Sequence, residues 1–201
     1  MRSLLAWPAA LALLLLAAGC SHIPLTSLPK LASLDPAALD LSALRAAMRA
    51  PDTLRPEPGG ATLTMSFWVA GAETRKTTID AALEEDTAVA RAALKAEEKP
   101  GFRITVFRLS EDGRRRLEAA RDEVRNLKAR EATTGSRVRG SLSVGAKACA
   151  AGALPDGPLL LSTYLRTEPT GDFIPLTVDL DVKALAAQAG AGAPPIEPCA
   201  P

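Results

Sequence analysis

Alternation and turn chemistry predict a mainly β domain with one amphipathic helix, an α+β chain arranged as an antiparallel β-sandwich or open barrel of about seven strands. Residues 62–69 alternate apolar Leu63, Met65, Phe67 and Val69 with Thr62, Thr64, Ser66 and Trp68, the period-two pattern of a half-buried strand. Clusters of turn formers, such as Pro155-Asp156-Gly157-Pro158, separate further short apolar runs. One segment, 111–132, instead spaces Leu117, Ala120, Val124 and Leu127 as a single helical stripe. At 201 residues, with 24 basic and 23 acidic side chains, the chain can bury a core and lacks the basic excess of a nucleic-acid binder. Its 47% hydrophobic content excludes a wholly disordered chain.

The N-terminal twenty residues read as a targeting segment rather than as part of the fold. Arg2 supplies a positive start, and residues 4–18 form an apolar run interrupted by Pro8. The run is shorter than the ~20 apolar residues that span a bilayer. It ends in Leu16-Ala17-Ala18-Gly19-Cys20. This segment resembles the lipobox of bacterial lipoproteins, although Ala17 departs from the usual leucine. The resemblance implies that residues 1–19 are a signal peptide and that Cys20 is acylated and becomes the mature N-terminus. It further implies a bacterial cell-envelope location, lipid-anchored and facing the periplasm. Ser21, where an aspartate favours the inner membrane, points to the outer one. Residues 20–34, rich in Pro, Ser and Leu and containing the single histidine, His22, are expected to form a flexible tether.

The globular domain is expected over 35–183. Asp35-Pro36 begins a helical turn, with Asp as cap and Pro at the first position. Leu44, Ala46 and Met48 alternate with Arg45, Ala47 and Arg49 as a strand, though Leu41, Leu44 and Met48 also fit a helix; Pro51-Asp52 and Pro56-Glu57-Pro58-Gly59-Gly60, which read as hairpin punctuation, favour the strand. The strand at 62–69 and a second at 74–83 follow, and Ala-rich 87–98 reads as a short helix or an irregular connection. Residues 102–109 are apolar on both faces, which predicts a central strand. Ser110 is positioned to cap the 111–132 helix, Glu111 and Asp112 suit its positive end, and Gly135 lies past its end. Strands at 140–150, 159–167 and 173–182, joined by turns, are expected to form an antiparallel meander. Residues 184–201 read as an Ala/Gly/Pro-rich tail.

Of three cysteines, Cys20 is assigned to lipid, and the remaining Cys149 and Cys199 are expected to form a disulfide that ties the tail back. Two distant cysteines and one histidine do not make a standard zinc set, and no metal or cofactor is expected. Gly140-Ser141-Leu142-Ser143-Val144-Gly145 has the wrong spacing for a serine-hydrolase elbow. Asp179 and Asp181, two apart on a strand, share a face that reads as solvated; they are the weak basis for an enzyme. Arg114, Arg121, Arg125 and Lys128 make the helix basic, with interleaved acids forming a salt-bridged face that can meet a protein partner or an anionic surface. Trp68 and Tyr164 read as rings covering a sheet face. These features predict a non-catalytic envelope lipoprotein that binds a protein partner or supports an assembly. A periplasmic binder of a small ligand, lipid or glycan is the alternative.

Overall fold

The computed structural model describes residues 24–35, 38–87, 91–135, 137–189 and 196–199. The expected signal segment and Cys20 lie outside them. Seven antiparallel strands form one sheet that curls into a nearly closed barrel. They are β1 (Arg45–Pro51), β2 (Leu54–Val69), β3 (Thr77–Glu85), β4 (Phe102–Leu109), β5 (Val138–Ala150), β6 (Leu160–Arg166) and β7 (Ile174–Asp181), in the order β5-β2-β3-β4-β1-β6-β7. The helices are α1 (Leu28–Ala32), α2 (Glu111–Thr134) and α3 (Val182–Ala189).

β4 is the middle strand, as its two apolar faces require. Phe107 and Leu109 enter the main core with Met48, Leu63, Leu83, Leu117, Val124 and Leu165. Ile104 and Val106 instead join Ala47, Leu94 and Tyr164 on the opposite face. A 3-10 segment, Arg91–Glu97, lies over that second face, where a helix or an irregular connection was expected, and Leu94 is its buried contact. A sheet face that looks half-polar in sequence is therefore covered.

α2 is placed by the way β3 changes partners. Thr77–Ala82 pair with β2, and only Leu83–Glu85 pair with β4. The carbonyl of Ala82 lies at the change and accepts the Ser110 N–H at 3.0 Å. The Ser110 hydroxyl accepts the Gly113 N–H at 3.0 Å, capping the helix as the sequence predicts. α2 then packs chiefly along β3, inserting Leu117, Ala120 and Val124 into the core. Gly135, with φ of 70°, follows the last turn.

Four expectations are corrected. Residues 51–60 are not hairpin punctuation: β1 and β2 are not neighbours, and the Asp52 N–H bonds to Gly101 at a corner. Pro56 and Pro58 lie inside β2, which is irregular between Pro56 and Ala61. There β2 pairs only with β5, so its other side makes no ladder bond that a proline would break. The last three strands are not a meander, because β5 pairs with β2 and β6 with β1; only β6 and β7 form a hairpin. The tail begins with a helix, α3, capped by the Asp181 carboxylate, which accepts the Lys183 N–H at 3.0 Å. The expected tether is structured from Leu25 onward: Ser27 is buried, and Leu31 and Leu34 pack against the core. The apolar leucines leave solvent there, which fixes the backbone between them.

Cys149 and Cys199 are joined in a disulfide, with Cα atoms 4.7 Å apart. Beside it the tail lies parallel to the end of β5: the Ala150 N–H donates to Glu197, and the Cys199 N–H to Ala150.

Candidate functional site

Among the described residues, a connected group of ionisable side chains lies on the outer face of β1, β6 and β7, under residues 91–101. β1 presents Arg45, Ala47 and Arg49 there. Arg45 donates to Asp86 at 2.7 Å, holding the start of the 86–101 connection. Arg49 is 2% exposed and holds its end. Its Nη1 donates to the Glu97 carbonyl and carboxylate, each at 2.9 Å, and its Nη2 to Ser162 at 2.9 Å and Asp179 at 2.7 Å. Lys99 adds a 3.0 Å bond to the second Asp179 oxygen, and the Tyr164 hydroxyl donates to Glu97 at 2.6 Å. The group thus balances Arg49 and Lys99 against Glu97 and Asp179. An open hollow of about 700 Å³ adjoins it, lined by Asp52, Glu98, Lys99, Phe102, Arg103 and Ile104.

Asp179 reaches this group through a backbone irregularity. Leu161 pairs with Leu180 and Thr163 with Thr177, so Val178 and Asp179 together face Ser162. Asp179 has φ of 49°, a left-handed conformation that aspartate tolerates better than most residues. The Ser162 hydroxyl accepts the Asp179 N–H at 2.9 Å and holds the bulge.

The electrostatics favour holding over proton transfer. Burial and the Glu97 carboxylate push the Tyr164 phenol well above its ordinary range, so it remains a neutral donor. Burial works to raise the Asp179 carboxyl, but hydrogen bonds from Lys99 and Arg49 outweigh it and hold the group below the usual carboxylate range. The carboxylates are therefore committed to cations, and the network fastens the 86–101 connection to three strands.

The structure separates the sequence-predicted candidates. Asp179 and Asp181 do not act as a pair: Asp181 accepts N–H bonds from Leu159 and Lys183, which lower its carboxyl. On α2, Arg114 faces Glu118 at 3.8 Å and Arg125 faces Asp122 at 3.4 Å. Lys128 is drawn to Asp35 at 2.8 Å, and Arg121 is half-buried, with Nε and Nη2 shielded from solvent. The basic face is thus interleaved with acids as expected, but Arg121 and Lys128 are turned toward the protein. Trp68 lies under Lys76, whose Nζ is 5.3 Å from the ring centroid. Tyr164 is 1% exposed and belongs to the network rather than to a surface. Sequence reading missed Arg45 and Arg49. Their period-two spacing with Ala47 marks one face, but the segment that covers that face lies some forty residues away in sequence.

No protein-family model matches the chain, and neither a curated protein nor a solved structure is significantly similar to it. Its class is therefore given by its own architecture: a curled seven-stranded antiparallel sheet with a helix packed along β3.

Proposed function

We propose that the chain is a lipid-anchored lipoprotein of a bacterial cell envelope, facing the periplasm from the outer membrane. Its role is non-catalytic: it binds a protein partner or supports an envelope assembly. The observation that carries the reading is the apolar run ending in Leu16-Ala17-Ala18-Gly19-Cys20. The disulfide supports it twice. It suits an oxidising compartment, and it engages two of the three cysteines, leaving Cys20 for the acyl group. The non-catalytic part is supported by the fate of the buried Arg49 charge, which Glu97 and Asp179 neutralise. The exposed face of α2, with Arg114 and Arg125 among alternating acids, is the partner surface.

Cells fed an alkyne analogue of palmitate should label the wild-type chain and not Cys20→Ser, which should leave the membrane fraction. Membrane retention of unlabelled Cys20→Ser would overturn the anchor. In-cell crosslinking should capture one reproducible envelope protein, and Arg125→Glu should remove it without shifting the melting temperature. Thermal stabilisation by an envelope lipid or glycan, with no captured protein, would replace this role with ligand binding.

A further inference from the structure

Among the described residues, the exposed large hydrophobic side chains are Leu25 at 80%, Leu28 at 46% and Leu185 at 50%. Leu25 and Leu28 belong to a row of leucines spaced by three, Leu25, Leu28, Leu31 and Leu34. The inner pair packs against the core, and the outer pair points into solvent. The segment between them is not a loose strand. Leu25–Ser27 is a 3-10 turn running directly into α1, and Ser27 is 1% exposed. The outer leucines are therefore held out from the domain on a fixed element.

The length of chain before them states what they face. Leu25 is the fifth residue after Cys20. Five residues span at most about 18 Å even when fully extended. An acylated Cys20 sits at the boundary of the hydrocarbon, and the headgroup layer itself is about 5–7 Å deep. Even at full extension Leu25 would stand only about 11–13 Å beyond the headgroup layer, and any shorter path brings it to the headgroups. Lys30, exposed on α1, adds a cation on the same short element, the side-chain chemistry of an interfacial helix over anionic lipid.

We infer that Leu25 and Leu28 insert into the membrane interface, so that the domain rests directly on the bilayer through the Leu25–Ala32 element instead of standing off on a tether. The occupant of this apolar surface is the phospholipid of the anchoring leaflet. The inference rests on acylation of Cys20.

The test uses the full acylated protein in vesicles of phosphatidylethanolamine and phosphatidylglycerol. Because Cys149 and Cys199 are bonded and Cys20 is acylated, one introduced cysteine is the only free thiol. Leu25→Cys and Leu28→Cys, each leaving the other leucine in place, are labelled with an environment-sensitive fluorophore. Glu111→Cys serves as the aqueous reference; it lies about 25 Å along α2 from Lys128, which holds Asp35 near the tether base. Labels at 25 and 28 should lose most of their emission to spin-labelled lipid and resist aqueous iodide, with the reverse at 111. Intact acyl mass on Cys20 with iodide quenching at 25 and 28 equal to that at 111 would overturn the docking and leave the anchor standing. No acyl mass on Cys20 would overturn the anchor, and the docking with it.

Discussion

Arg49 holds a buried charge because four acceptors converge on it from three elements: Glu97 twice, Ser162 and Asp179. Glu97 and Asp179 are about a third exposed and Asp179 keeps Lys99, so the loss on removing Arg49 is that of its own buried hydrogen bonds. Arg49→Ala should lower unfolding free energy by about 1–3 kcal/mol in urea titration. Arg49→Lys should recover little of it, because a point ammonium cannot serve two carboxylates on separate elements. Asp179 adds a pH dependence. Its folded carboxyl is held low, so its contribution is fully present above the unfolded value of about 4 and disappears as pH falls through the depressed folded value. Urea midpoints should therefore drop on acidification in that range, and Asp179→Asn should flatten the drop. A midpoint profile identical in Asp179→Asn would show that its ion pairs do not govern the acid limb. These roles were hidden in the sequence, where strict alternation makes Arg49 and Asp179 solvated residues.

At the scale of the element, α2 and the 86–101 connection show how far local pattern reaches. The stripe of Leu117, Ala120 and Val124 and the Ser110 cap were legible, because helical spacing and capping are local properties. The tight docking was not. A Cβ on Gly113 would lie 2.3 Å from the Ala82 carbonyl oxygen, so this glycine is needed for close approach of helix to strand. Gly113→Ala should lower thermal stability severely, despite its better helix propensity, because the obstacle is backbone and cannot rotate away. An unchanged or higher melting temperature would refute that packing. The connection depends on Leu94, 2% exposed in the outer cluster. Leu94→Ala should cost about 2–5 kcal/mol if the site does not collapse. Amide exchange over residues 91–97 should quicken first, since Leu94 is the buried side chain of this segment in the outer cluster.

Over the whole molecule, β5 stands at one end of the strand order, while β6 and β7 close the other. The 151–159 connection bridges these ends, and the tail is fixed to the last residues of β5. The disulfide closes a loop with a sequence separation of 50. In the chain-entropy model such a closure stabilises by about 4 kcal/mol. Reduction should lower the urea midpoint by a corresponding amount, and a Cys149→Ser, Cys199→Ser double variant should match the reduced protein. Equal midpoints in oxidised and reduced protein would remove the staple from the account of stability.

The sequence by itself determined most of the elements, though not α1, α3 or the first part of β2: seven strand segments, one capped amphipathic helix, a central strand apolar on both faces, and two cysteines able to pair. Each follows from side-chain periodicity or turn chemistry within a few residues. Tertiary structure alone decided the strand order, the cover over the outer face of β1, the bulge that aims Asp179 at Arg49, and the embedding of Leu31 and Leu34. All four depend on contacts between segments far apart in sequence, and periodicity describes only which face a residue takes, not what lies against it.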